Sequence, residues 1–595
     1  MSWPAPSALR RFLPPASALY GAALVLAGLL YRATFLRDGF SATDEGWLQS
    51  LGYRVATGQI PYRDFYYHFT PLSVYKEAAL IALLGDGYTV MVSRWAFAIE
   101  ASLGSLLAFL LVRRFTSDLI AFLVTIPTIF FSVQLYYFSN YTYDGEILLL
   151  GALVLLVESN GRRRLLAILA GALAALAFGA KPTFVAFVPV VLATAWLGPL
   201  VTPSDHVLAA PLAGVRRLWP LFLAGFVAVL LLGVAYYALM GAERQFLYQA
   251  FALAQDARHT SRRYALWQDL PDMAFSSAVA TPVASAIGLL ATAVGTRWGL
   301  LAWPAVAGAV GLLAWICHQP DDPLLYLFRA LVLLLAMNIA AAAASVAVHG
   351  PWARSRGWAG RWRAMLPPPE LPLFALTLQY LTQFTFSGMR FSYIGAFLSI
   401  PVALLYVVQV GRAAAPHVGR WRLQPALAVA ALGVWLSVGS LLLTHGTVYR
   451  DGPRADLLAG LNTPKLAGVR TLPANAAQVD GLTSAVDVYS RPADQVLILP
   501  DYPALYYLTD REPATRQTWY FEWMLTRAIV DEALADIQRR PPRVVFVQAA
   551  VIEADPGARS ERVWPLYEYV TSTYRRVATV GGIDVYVPPG QPGPA

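Results

Sequence analysis

"LLAILAGALAALAFGAKPTFVAFVPVVLATAWLGPL", residues 165–200, is the stretch on which the fold turns. One crossing of a hydrocarbon core takes about 20 residues, so this run is too long for a single span. Yet it holds no polar loop, only "FGAKPT" around one charge. Proline lacks an amide proton and clashes with the preceding helical turn, so the run divides at Lys181 and Pro182 into two spans. Read as one helix it would move Arg216 and Arg217 across the membrane from the other arginine clusters, against the bias that keeps Arg and Lys in cytoplasmic loops.

The chain on either side has the same character. Of 595 residues, 57% are hydrophobic and 14% charged, more apolar and less charged than a soluble domain. Apolar runs recur from Leu13–Tyr31 to Pro425–Thr444. The first reads as a span and not a cleavable signal, because no small-residue cleavage site precedes the polar stretch after it. Arg10 and Arg11, Arg113 and Arg114, Arg162 to Arg164, Arg216 and Arg217, Arg297, the set Arg354, Arg356, Arg361 and Arg363, and Arg412 with Arg420 and Arg422 fall in alternate loops. This parity predicts an α-helical polytopic membrane protein of about thirteen transmembrane helices. They lie near 13–36, 92–112, 117–138, 142–157, 165–180, 182–200, 218–240, 276–294, 298–317, 324–347, 371–387, 392–410 and 424–444. An odd count from a cytoplasmic N-terminus places the C-terminus outside.

Two regions flank or interrupt the spans. The first outer loop, 37–91, opens with "TDEGW": Thr43 suits an N-cap, and Asp44 and Glu45 the first turn of a helix whose Trp47, Leu48, Leu51 and Val55 form one apolar stripe. Such a helix is expected in the membrane interface, followed by aromatic residues suited to the headgroup zone and a second amphipathic helix from Pro71 to Leu84, ended by "GDG". From 445 to 595 the composition changes to short β-like runs, "VLILP" and "RVVFVQ", alternating with helical stretches such as Tyr520 to Arg539. This is the pattern of a soluble α/β domain, extracytoplasmic by the same parity. The net charge of +9 is spread in pairs between spans, which speaks for membrane orientation and against nucleic acid. A single cysteine, Cys317, excludes an intrachain disulfide and any cysteine-based metal cluster.

Charges on the outer side form a constellation. Beside Asp44 and Glu45 stand Asp144 and Glu146 in "YTYDGEILLL", and only eleven residues separate Glu146 from Glu158. At 1.5 Å per residue that is too short to cross about 30 Å of hydrocarbon. Either this helix starts upstream and carries its carboxylates below the interface, or the bilayer thins; the ordinary alternative is an N-cap on a span drawn a turn too late. Lysine occurs only at 76, 181 and 465, so Lys181 stands out, as does Arg390 in the short outer loop of "FSGMRFSYIG". Lysine as a point charge and arginine as a fork would suit a phosphate; snorkelling is the competing account for each. Helix-dipole complementation, about 0.3 to 1 kcal/mol, is the competing account for Asp44 and Glu45.

Together, the "DE" after the first span, the second acidic position at the start of the fourth, the Lys-Pro in "LAFGAKPTFVAFVP", and the "RF" of 390–391 followed by Pro401 resemble the GT-C membrane glycosyltransferases. The likeness is to bacterial relatives of protein O-mannosyltransferases and of the aminoarabinose transferase of lipid A, a glycosyltransferase family 39-like group. It covers residues 13–444, making 1–444 a GT-C-like catalytic domain, and is weak beyond. The resemblance implies transfer of a sugar from a polyprenyl-phosphate donor to a glycan, lipid or protein acceptor. Asp44 would be the base, Lys181 and Arg390 would hold the donor phosphate, and Glu45, Asp144 and Glu146 would be further catalytic candidates. No Arg precedes "YDGE", which leaves open whether Asp144 or Glu146 matters. Tyr66, Tyr67, His68 and Tyr143 are expected to line the acceptor or donor pocket. An inverting transfer needs one base and a cationic clamp for the departing phosphate. No metal or cofactor is assigned, although a divalent ion at Asp44 with Asp144 stays open. A secondary transporter or a flippase of a lipid-linked saccharide is the alternative; it would call for midplane charges in broken helices and symmetry between halves. The arginine-rich, lysine-poor composition suggests a GC-rich bacterial genome, and the expected location is accordingly a bacterial cytoplasmic membrane.

Overall fold

The computed structural model describes residues 15–130, 138–201, 207–253, 337–351, 362–363, 365–383, 396–414, 448, 450–521, 524–554 and 563–591. Arg390, Cys317 and the expected spans 276–294, 298–317 and 424–444 lie outside the described residues, as does the first half of 324–347. Among those described, four helices are long and apolar enough to cross a membrane: Ala16–Ala33, Val90–Val112, Pro182–Leu200 and Leu208–Leu239.

Helix α1 (Ala16–Ala33) leads into the first loop, which carries α2 (Asp44–Ala56) and α3 (Leu72–Leu84) before α4 (Val90–Val112). Then come α5 (Asp118–Thr125), α6 (Tyr141–Glu158), α7 (Arg164–Ala180), α8 (Phe187–Val201), α9 (Ala213–Leu239), α10 (Glu370–Gln383) and α11 (Ala396–Ala414). The decisive break is where the sequence puts it: α7 stops at Ala180, Lys181 is extended, and a 3-10 turn begins at Pro182. The span expected at 117–138 is interrupted, because α5 yields at Ile126 to a 3-10 turn containing Pro127, whose ring removes an amide donor. Helices α7 and α9 touch backbone to backbone. A Cβ at Gly171 would lie 1.8 Å from the Phe222 carbonyl oxygen, and one at Gly225 2.0 Å from that of Ile168, so only glycine permits this small-residue packing.

Helix α2 does not lie flat on a membrane with one apolar face down. Glu45 to Gly52 are all buried, because α3 covers one side and the C-terminal chain the other. A Cβ at Gly46 would fall 2.3 Å from that of Ala504. The C-terminal chain clasps the preceding loop as well. Gly39 N donates to the Arg470 carbonyl, Arg470 N to that of Arg37, and Asp451 accepts from Phe40 N at 3.0 Å.

The later part of the chain pairs β1 (Ala459–Gly460) with β2 (Arg470–Thr471) and builds a five-stranded sheet in the order β4-β3-β5-β7-β6, from β3 (Gln495–Leu499), β4 (Glu512–Pro513), β5 (Val544–Val547), β6 (Arg575–Val580) and β7 (Ile583–Val587). Strand β3 is parallel to β4 and β5, while β7 is antiparallel to β5 and β6. Side chains alternate with period two. Val496, Ile498, Val544 and Phe546 face the helix Pro473–Tyr489 through Leu482 and Val486. Leu497, Leu499, Val545 and Val547 face the helix Arg527–Arg539 through Ile529, Val530 and Ile537. Coverage on both faces explains why "VLIL" and "VVFV" are apolar without interruption. The helix expected from Tyr520 begins only at Arg527, where Thr526 caps it; Tyr520 is instead buried, its hydroxyl 2.7 Å from that of Thr515.

Candidate active site

The first turn of α2 sends its two carboxylates apart. Successive helical residues diverge by about 100°, and the surroundings differ accordingly. Glu45 turns inward to Arg94 of α4, with Nε–Oε1 at 2.7 Å and Nη2–Oε2 at 2.8 Å. Both side chains are at most 1% exposed. The same guanidinium donates to the carbonyls of Leu36 at 2.7 Å and Gly39 at 2.8 Å, so it fixes the loop that delivers α2. This bidentate pairing with Arg94, and not with Arg54, is what occupies Glu45; Arg54 bonds Gln59 and the Asp64 carbonyl.

Asp44 faces the other way and is 27% exposed. Thr43 holds the N-cap position without capping an amide; its hydroxyl donates to Asp44 Oδ2 at 3.2 Å. Asp44 N donates to Ser41 Oγ, also at 3.2 Å. Arg450, from the chain beyond the last expected span, sets its Nε 3.2 Å from Asp44 Oδ2 and its Nη1 3.7 Å from Asp501. Burial pushes the Asp501 carboxyl up to about 6, with Arg450 opposing and Asp44 adding to the rise.

Asp44 opens on a cleft lined also by Trp47, Leu48, Phe69, Ser139, Asn140, Tyr141, Trp519 and Met524. Three chain segments meet there: the first loop, the N-terminus of α6 and the C-terminal chain. Phe69 and Tyr141 stack with ring centres 4.3 Å apart, and Trp47 and Trp519 meet edge to face at 5.1 Å.

Helix α6 starts one turn upstream of its acids. Asn140 caps it, accepting from Thr142 N at 2.8 Å, so Asp144 and Glu146 are buried in its first two turns. Two residues apart, they face roughly opposite sides. Asp144 accepts from Ser73 at 2.6 Å and from Lys76 Nζ at 2.5 Å, and Lys76 also bonds Glu100 at 2.9 Å. Glu146 turns toward α11, where one oxygen accepts from Phe397 N at 3.3 Å and the other has no partner among the described residues. Lys181 is 1% exposed. Among the described residues its one hydrogen-bond partner is Thr142, at 3.1 Å, and it lies over the rings of Tyr141 and Phe184 at 5.8 and 5.6 Å.

The expected pocket residues take other places. Tyr66 points to the C-terminal chain, where its hydroxyl donates to Glu532 at 2.7 Å. Tyr67 is buried behind Trp47. His68 Nε2 lies 2.8 Å from the Met524 carbonyl, and burial pushes the imidazole down to about 4. Tyr143 packs between Phe97 and Phe397. None of the four lines the Asp44 cleft. Among the described residues no three His, Cys, Asp or Glu side chains converge so as to hold a metal ion. Asp44 and Asp144, the pair left open for a divalent ion, are each engaged by a cation, Arg450 and Lys76.

Sequence reasoning passed over Lys76, Arg94, Arg450, Trp519 and Met524. Only Lys76 carried a local signal, as one of three lysines in the chain. The others are recruited by contacts that span tens to hundreds of residues.

No protein-family model matches the chain, and no curated protein matches it. Among solved structures it is similar to an oligosaccharyltransferase of Archaeoglobus fulgidus in complex with zinc and sulfate, with a TM-score of 0.47, 13% identity, and coverage of 96% of this chain and 73% of that one. It is also similar to ArnT from Cupriavidus metallidurans bound to undecaprenyl phosphate, with a TM-score of 0.42, 14% identity, and coverage of 96% and 97%. Likeness at this level decides nothing about chemistry, which has to be read from the side chains of the cleft.

Proposed function

We propose that this chain is a membrane glycosyltransferase that moves a sugar from a polyprenyl-phosphate donor to an acceptor hydroxyl on the outer side of a bacterial cytoplasmic membrane. It would have a GT-C-like membrane part of about thirteen helices and an extracytoplasmic α/β domain from residue 445. The observation that carries the reading is the division of labour at the start of α2. Glu45 is consumed by Arg94, while Asp44 stays partly exposed at an aromatic cleft. Beside that cleft, Lys181 is a buried lysine whose described neighbours supply no carboxylate within bonding distance.

In the proposed reaction Asp44 takes the proton of the acceptor hydroxyl as its oxygen bonds the anomeric carbon from the face opposite the phosphate. The bond from that carbon to the phosphate oxygen breaks, the electron pair leaves with the polyprenyl phosphate, and the sugar inverts. A phosphate leaving group needs neutralisation more than protonation; Lys181, Arg390 and Lys76 are the cations proposed for it. Arg450 must loosen from Asp44 for the base to act.

Protein in nanodiscs, given a panel of radiolabelled polyprenyl-phosphate sugars and membrane extract as acceptor, should transfer label. Asp44→Asn should lower the rate by about 10² to 10⁴-fold, as for a lost general base, with undecaprenyl phosphate binding preserved. Near-normal turnover in Asp44→Asn would overturn the assignment of the base. Absence of both transfer and undecaprenyl phosphate binding in the intact protein would overturn the function.

A further inference from the structure

We infer that the acceptor is a carbohydrate whose ring enters the Asp44 cleft, and not the serine or threonine of a peptide; the inference rests on the transferase reading above. Four of the nine lining residues are aromatic: Trp47, Phe69, Tyr141 and Trp519. Aromatic faces carry negative charge density and attract positively polarised hydrogens, which a sugar ring presents as its axial C–H groups. Among the described residues of the lining Asp44 is the one that carries a charge, so these residues offer no cation to a phosphate or carboxylate, and the donor's head group is assigned to the cations outside them. Ser139 brings a buried hydroxyl with no partner among the described residues, and Asn140 has its carbonyl committed to Thr142 N, leaving its amide hydrogens on the donor side. A hydroxyl-rich ring answers both.

A peptide finds less. Recognition of extended peptides relies on unpaired main-chain groups, usually at a sheet edge, and five main-chain groups of this lining are already committed. The Phe69 carbonyl accepts the Tyr62 hydroxyl at 2.6 Å, that of Met524 is 2.8 Å from His68 Nε2, and that of Trp519 accepts the Gln517 amide. Trp47 N donates to Thr43 and Met524 N to Phe521. With those groups taken, the aromatic side chains are the larger part of what the described lining offers.

Saturation-transfer NMR on the full chain in nanodiscs tests this. The probes are the methyl glycosides of glucose, galactose, mannose and arabinose, and a capped Ala-Ser-Ala-Thr-Ala peptide. Undecaprenyl phosphate binding is measured on the same samples. At least one glycoside should show saturation at its ring hydrogens, and the peptide none. Trp519→Leu should weaken the glycoside by about tenfold, the size of one lost aromatic contact, and Ser139→Ala by less, both with undecaprenyl phosphate affinity intact. Retained undecaprenyl phosphate affinity also shows that a variant is folded. Saturation of the peptide alone, of no probe at all, or of glycosides to equal extent in Trp519→Leu overturns the inference while leaving the transferase reading standing. Loss of undecaprenyl phosphate binding in the unaltered protein strikes that reading instead.

Discussion

Asp44 and Glu45 are chemically near-equivalent, and their surroundings separate them. Arg94 gives Glu45 two charge-assisted bonds in a buried site, and it also donates to two loop carbonyls. Removing one member of a buried pair strands the other, at about 3 to 5 kcal/mol. Glu45→Gln and Arg94→Met are therefore expected to lower the thermal midpoint sharply, whereas Asp44→Asn should leave it near that of the parent, read by the loss of intrinsic fluorescence in nanodiscs. Equal midpoints for Glu45→Gln and Asp44→Asn would deny Glu45 its structural role. His68 supplies a second prediction at this scale. Its imidazole, held down to about 4 by burial, has a folded-state value below the ordinary one near 6.5, so the unfolded chain binds the proton more tightly. The stabilisation is whole above pH 6.5 and is lost progressively as pH falls toward 4, about 2 kcal/mol of it by pH 5. The midpoint should drop between pH 7 and pH 5, and His68→Gln, which can still donate to the Met524 carbonyl, should flatten that drop.

At the scale of elements, α6 is the member that organises the site. Its cap offers Asn140 and Tyr141 to the cleft, Thr142 to Lys181 and Asp144 to Lys76. Lys76 stands between Asp144 of α6 and Glu100 of α4, so Lys76→Met would leave a buried and a partly buried carboxylate facing each other. Lys76→Met and Asp144→Asn are each expected to cost stability, and the double variant less than their sum, with a coupling of about 1 to 3 kcal/mol in a double-mutant cycle; strict additivity would deny the pairing. The helices were legible in the sequence where an apolar run met a proline, an arginine pair or a glycine pair: the break at Lys181 and Pro182, the end of α4 before Arg113 and Arg114, and α3 stopping at the glycine pair around Asp86. The separation of Asp44 from Glu45, and of Asp144 from Glu146, follows from helical geometry alone. What remained hidden was partner choice. Nothing local to Glu45 selects Arg94 over Arg54, and nothing near residue 519 announces that its indole closes a cleft begun at residue 44. Such contacts are settled by tertiary packing, which one sequence does not display. The expected interfacial position of α2 failed for the same reason, since its apolar stripe reads alike whether lipid or protein covers it.

For the whole molecule, the clasp between the first loop and the C-terminal chain fixes sidedness. Asp44 is touched by Arg450, the cleft takes Trp519 and Met524 as part of its wall, and Gly46 has no room beside Ala504. Arg454 bonds Asp38 at 2.5 Å, and Asp451 gathers Phe40, Thr471 and Asn475. No bilayer fits between partners at hydrogen-bond distance, so the first loop and residues 450–587 must share one side of the membrane. The arginine clusters predict that this side is the outer one. Arg114 pairs with Glu158 and Arg113 with Asp118 at the other end of α4 and α6, a helix length of about 27 Å away. In a Cys317→Ser background, single cysteines from Thr57→Cys in the first loop and from Val488→Cys and Val551→Cys in the C-terminal chain all occupy exposed positions. An impermeant maleimide applied to intact spheroplasts should label all three. Protection of all three until lysis would invert the orientation and leave the cleft intact. A split result, with Thr57→Cys labelled and the other two protected or the reverse, would break the clasp itself, and with it the cleft that Asp44 and Trp519 share.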